Sequence, residues 1–269
     1  MNSAARLRDV LSRMLSAPSQ GTCLEVLAVF FELAPSRESL QGHNAFPVVP
    51  KVQHYLTEIL NLTDETEREL GTLDDRYKVL FKATFPHIRN TISTYMFNPV
   101  GNWESYLGEL QKVDFRGLEF AADTLSRSPV EETIPASTLK DFLHEVDEFY
   151  EEVLSSDIHW EAKYFILDRL DEIRLALREY YITGVKGLRN CIGKTIGLMF
   201  VNSHLLESDD DSPKAKARNK LWDFVTRLSG IADLGIKVIQ VAEKARPAIK
   251  PLFNAIKAFL GPGDPPTVE

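Results

Sequence analysis

A chain of 269 residues with 44% hydrophobic and 26% charged side chains holds enough apolar material for a sizeable core and too much for a disordered coil. Its net charge of −8, with a pI near 5.4, argues against nonspecific nucleic-acid binding by the main body. No window reaches the ~20 uncharged apolar residues of an ordinary lipid-facing span, and the first nineteen residues lack the continuous apolar stretch of a secretory leader.

Leu7, Val10, Leu11, Met14 and Leu15 recur at helical spacing and predict a first helix that Pro18 stops. Thr22 and Glu25 form a capping box that opens a second helix, apolar nearly all round through Phe30, Phe31 and Leu33. A connector with Pro35, Gly42, Pro47 and Pro50 leads to a face of Val52, Tyr55, Leu56 and Ile59. From Thr72 a longer pattern carries Leu73, Tyr77, Leu80 and Phe81; Pro86 implies a kink or a restart near Thr84. Ile88, Ile92, Tyr95 and Met96 continue to the turn Asn98-Pro-Val-Gly-Asn102, and 103–110 and 115–125 are two further helices. Residues 126–137, with Pro129 and Pro135, mark a sub-boundary.

Beyond it, Leu139, Phe142, Val146, Phe149 and Val153 stripe one helix, and Trp160, Tyr164, Leu167, Leu170, Ile173 and Leu177 stripe another. Gly184 reads as a terminator, 185–206 as a third helix, and 207–213 as a solvated acidic linker before Ser212 and Pro213 open the last. No sustained two-residue alternation exists. The expected fold is all-α, about nine helices, with a multi-helix bundle body over 1–206, a basic amphipathic arm over 214–260 and a disordered tail over 261–269.

The stretch Leu154-Ser-Ser-Asp157, Lys163-Tyr-Phe-Ile-Leu167, Ile173-Arg-Leu-Ala-Leu177, Tyr180-Tyr-Ile-Thr-Gly184 and Gly187-Leu-Arg189 resembles the middle of a loose group of uncharacterised helical bacterial proteins. These vary at their C-terminal ends, and some accompany mobile-element or phage-conflict genes. The resemblance covers 139–198, about a quarter of the chain, and carries no catalytic motif. It implies a genomic context and no activity.

Catalytic chemistry finds little footing. Gly193-Lys194-Thr195 lacks the glycine of a phosphate-binding loop, because Leu188 holds that position and Gly187 falls one residue early. Arg37 and His43 fit the spacing of helical HEPN-type ribonucleases, a match expected about once by chance here, on a Gly- and Pro-flanked loop. The six histidines never form a paired Glu-x-x-His or a His-Glu-x-x-His helix, so neither a metal nor another cofactor is expected. Cys23 and Cys191, far apart in apolar helical contexts, read as free buried thiols of a reducing cytoplasm. The carboxylates Asp141, Glu145, Glu148 and Glu152 line one helix face, either as its wet side or as a dock for the basic arm.

The arm is the one distinctive feature. Lys214 to Lys257 holds ten Lys/Arg and three Asp/Glu, a net +7 that leaves −15 for the rest. On a helical wheel Thr226, Asp233, Lys237, Gln240 and Lys244 form one thin polar stripe. Trp222, Phe224, Val225, Leu228, Ile231, Leu234, Val238 and Ile239 spread over the remaining circumference. Trp222 to Glu243 would measure about 33 Å as a helix, close to a bilayer's hydrocarbon thickness. After Pro247, Leu252, Phe253, Ile256 and Phe259 form a second apolar face with Lys250 and Lys257 opposite, suited to a headgroup interface.

Three functions follow as expectations. The first is a non-enzymatic effector of a phage-conflict system that oligomerises and perturbs an anionic membrane through its arm. The second is a soluble binding or scaffold module whose arm docks on the body or on a partner protein. The third is a HEPN-like ribonuclease using Arg37 and His43. No specific nucleic-acid partner is expected in the first two.

Overall fold

The computed structural model of the protein describes residues 1–18, 20–36, 38–40, 47–72, 81, 83–127, 133–207 and 212–232. Among these the fold is all-α, with eleven helices and no strand. They form two compact units. The first takes Met1–Thr133 and Ala176–Gly187, the second Ile134–Leu175 and the described residues from Leu188 on.

In the first unit, α1 (Ser3–Leu15) starts where Asn2 Oδ1 accepts the Ala5 N–H at 3.0 Å. Its buried face is Leu7, Val10, Leu11 and Met14, together with Arg6. The short α2 (Cys23–Phe30) opens on the expected capping box. Glu25 N–H donates to Thr22 Oγ1 at 3.3 Å, and Thr22 N–H donates to Glu25 Oε2 at 2.8 Å. A 3₁₀ turn at Glu38–Leu40 precedes α3 (Val49–Gly71), which buries Val52, Tyr55, Leu56, Ile59, Leu62 and Leu70. Its buried Thr63 and Thr66 hydroxyls donate back to the Ile59 and Leu62 carbonyls, both at 2.8 Å, so neither is left bare.

α4 (Thr84–Phe97) begins at the restart that Pro86 implied and buries Phe85, Ile88, Ile92 and Tyr95. α5 (Trp103–Leu110) and α6 (Phe115–Leu125) start on Asn102 and Asp114, whose side chains accept the Glu104 and Gly117 N–H groups at 3.0 Å each. α1 packs on α3, α5 and α6, while α3 also packs on α2, α4 and α6. Trp103 is fully buried, and Tyr106 meets Tyr95 edge-on at 4.9 Å. The turn before α5 also serves α2, because Cys23 N–H donates to Gly101 O at 2.9 Å and Leu24 N–H to Pro99 O at 2.7 Å. Those bonds satisfy donors that a helix start leaves unpaired.

The annexed segment 176–187 is fixed by Arg6, a residue only 4% exposed. Its Nε donates to Ile182 O at 3.1 Å, its Nη1 to Met1 O at 3.1 Å, and its Nη2 to Glu65 Oε1 at 2.9 Å. Lys186 Nζ lies 3.2 Å from the other Glu65 oxygen, and Ile182 enters the core with no exposure. A buried guanidinium is tolerable only when charge and donors are matched in this way.

The second unit contains α7 (Ala136–Ser155), most of α8 (Trp160–Arg178), α9 (Tyr180–Val201) from Leu188 on, α10 (Ser203–Leu206) and α11 (Pro213–Ile231). Arg174 on α8 pairs with Asp147 on α7 at 2.7 Å, and Lys163 Nζ donates to Ser156 O at 2.6 Å. Lys194 on α9 pairs with Glu172 on α8 at 2.6 Å. Between α9 and α11, Phe200 and Trp222 meet edge-on at 6.1 Å, and Arg189 Nε donates to Ala232 O at 3.0 Å. The partners run in opposite sequence order between α7 and α8 and between α9 and α11, so these neighbours are antiparallel.

Gly184 breaks the helical path as expected: its φ of +64° and ψ of −161° are non-helical and separate the turn from Tyr180 from the helix that runs on from Val185, while α8 itself already stops at Arg178. One sequence expectation is corrected. The stripe assigned to α8 is out of phase at its start, since Trp160 and Tyr164 are 68% and 70% exposed. Ala162, Phe165, Ile166 and Arg169 occupy the buried face there instead.

Candidate interaction surface

α7 supplies an apolar ridge of Phe142, Val146, Phe149 and Val153 at spacings of three and four, so all four share one side of the helix. The acidic stripe Asp141, Glu145, Glu148 and Glu152 runs alongside this ridge. α11 answers with the same spacing. Ser212 caps it, accepting Ala215 N–H at 3.1 Å, and Pro213 stands in its first turn. Leu221, Phe224, Val225 and Leu228 are 0–2% exposed.

The two helices meet through Phe142 and Phe224, edge-on at 5.3 Å between ring centres. Arg227 pairs with Glu145, and Lys220 pairs with Glu152. The same cations lie over aromatic faces, Lys220 4.7 Å from the Phe149 ring centre and Arg227 5.5 Å from that of Phe142. Residue 220 meets 149 and 152 while 227 meets 142 and 145, so α11 is antiparallel to α7.

Magnitudes decide what holds this contact. The four ion-pair side chains are 40–59% exposed, and such pairs are worth about 0.2–1 kcal/mol each. Fully burying one Leu, Val or Phe side chain is worth about 1.5–3 kcal/mol. The apolar seam therefore holds α11, and the charges choose its register. Hydrogen bonding from Arg227 holds the Glu145 carboxyl below the usual carboxylate range and raises the guanidinium in turn.

The residues singled out in the arm fall into three groups. Phe224, Val225 and Leu228 are buried on α11, so these three are already covered. Trp222, Thr226 and Ile231 are partly exposed. Leu234, Val238, Ile239, Leu252, Phe253, Ile256 and Phe259, with Asp233, Lys237, Gln240 and Lys244, lie outside the described residues, as do Arg37 and His43.

Gly193, Lys194 and Thr195 sit within α9, where backbone N–H groups serve the helix and no loop cradles an anion. Burial pushes the Cys191 thiol up to about 11 and the Cys23 thiol to about 12, away from nucleophilic reactivity. Among the described residues no group of three or more His, Cys, Asp or Glu is placed to hold a metal ion, and no helix is long and apolar enough to cross a membrane.

Spacing alone did not reveal one titratable cluster in the first unit. His54 Nε2 lies 2.6 Å from Glu179 Oε1, joining α3 to the annexed segment. The Glu179 hydrogen bond raises the His54 pKa above its ordinary 6.5, against the opposing effect of burial. Burial also pushes Tyr55 up to about 12 and raises Tyr181. These partners are more than a hundred residues apart, and no local pattern marks them.

Comparison with family models, with curated proteins and with solved structures returns no match to this chain.

Proposed function

We propose that this is a non-enzymatic interaction protein whose basic C-terminal segment is its working part, with α11 held on α7 until a competing partner takes it. The seating of Phe224 on Phe142, flanked by Arg227–Glu145 and Lys220–Glu152, carries this reading. It matches an interface in composition: an aromatic centre, a charged rim and complementary sign. The partner is a protein, a second copy of this chain included. The two free cysteines, with thiols raised by burial, support a reducing, cytoplasmic setting.

A second reading is a membrane-perturbing effector of a phage-conflict system. The net +7 over Lys214–Lys257 and the apolar face from Leu252 to Phe259 favour it, and the resemblance of 139–198 supplies the context. In this form the α7 contact keeps the arm from an anionic bilayer.

The combined variant Glu145→Lys, Glu152→Lys separates the two. Under the first reading its sedimentation shows self-association that the wild type lacks, while anionic vesicles retain their dye. Under the second, vesicles leak faster than with the wild type. A variant identical to the wild type in both assays contradicts both readings.

A further inference from the structure

Beside the end of α1 and along α2, a cavity of about 300 Å³ is lined by Arg13, Ser16, Pro18, Val26, Val29 and Phe30. Its volume is at the lower end of the range for small-ligand sites. The walls are mostly apolar, and the one cation is Arg13.

Arg13 differs from the buried Arg6 of the same helix. Its guanidinium carbon lies 5.4 Å from the Phe30 ring centre and 4.8 Å from that of Tyr181. Both rings lie within cation–π reach of it. Among the described residues no carboxylate pairs with it and no acceptor takes its N–H groups. A guanidinium without an oxygen partner keeps its donors for a planar, two-oxygen acceptor. The two aromatic contacts restrain it beforehand, which lowers the ordering cost of binding.

The lining narrows the ligand. Arg13 is the one cation on walls that are otherwise mostly apolar, so a single anionic charge on an apolar body fits and a compact phosphate dianion does not. We propose that the cavity binds a small amphiphilic monocarboxylate, its head on Arg13 and its chain along Val26, Val29 and Phe30.

Octanoate is the probe, titrated into the full chain by calorimetry, with inorganic phosphate as the charge-only comparison. The wild type should bind octanoate saturably at millimolar concentration or tighter and leave phosphate unbound. Arg13→Gln, which removes the cation, and Val29→Trp, which fills the space and keeps the cation, should each weaken octanoate about tenfold or more. Both variants should keep the wild-type helical circular dichroism, and Val29→Trp holds the test open if Arg13→Gln unfolds α1. Absence of octanoate binding to the wild type, equal affinity in Val29→Trp, or phosphate binding as tightly as octanoate would overturn the proposal.

Discussion

Phe224 and Arg227 stand one helical turn apart and test what holds α11. Phe224→Ala removes a ring that is 2% exposed and should cost about 3–5 kcal/mol in denaturant unfolding of the second unit. Arg227→Gln removes a pair that is 40–45% exposed and should cost about 1 kcal/mol or less. Equal losses would mean the charges do more than set register. Because Glu145 has a lowered folded pKa, its contribution is present above its ordinary 4.5 and fades as pH falls through the folded value. His54 behaves in the opposite sense. With a folded pKa raised above 6.5, its pairing with Glu179 is complete below that pH and is lost as pH rises through the folded value. An NMR titration of His54 should therefore show a midpoint above 6.5 that drops in Glu179→Gln.

At the scale of elements, Gly184 is the position least open to change. Its φ of +64° with ψ of −161° is a region essentially reserved for glycine, and an added Cβ would come within 2.5 Å of Arg6 Nη1. Gly184→Ala should destabilise the first unit by about 1–3 kcal/mol from backbone strain alone, with more from displacing Arg6; thermal unfolding measures it. Helices with a cap or a clean apolar stripe were legible beforehand: Leu7, Val10, Leu11 and Met14 mark α1, and Thr22–Glu25 announces the start of α2. The acidic stripe of α7 reads from the sequence first as the wet side of its helix and only alternatively as a dock for the basic arm; two of its members, Glu145 and Glu152, pair with Arg227 and Lys220. α8 was misphased because Trp160 and Tyr164 look like core residues by hydrophobicity, while Arg169 looks like surface. Arg169 is in fact buried, paired with Asp168 and with Glu172 at 2.8 Å, and such pairing is invisible to a periodicity count.

Across the whole molecule, the chain divides into two compact units. The cut between Thr133 and Ile134 lies inside the proline-bounded segment 126–137, where composition changes. The return of 176–187 to the first unit depends on Arg6, Glu65, His54 and Glu179, partners too distant for any local signal. α11 groups with α7 and with α9 from Leu188 on in the second unit. A chain ending at Thr133 lacks Ile182 from its core and leaves Arg6 without the Ile182 carbonyl. It should melt below the first unit's transition in the intact protein, and an unchanged transition would show the annexed segment to be dispensable.

The most direct measurement is amide hydrogen exchange across 213–231 under native conditions. If α11 is held on α7 by a buried apolar seam, the amides from Leu221 to Leu228 exchange as slowly as those around Phe149, and both slow sets become fast together in Phe224→Ala. Rapid exchange along α11 while α7 stays protected would contradict the account, since the C-terminal segment would then have no docked state from which a partner could draw it.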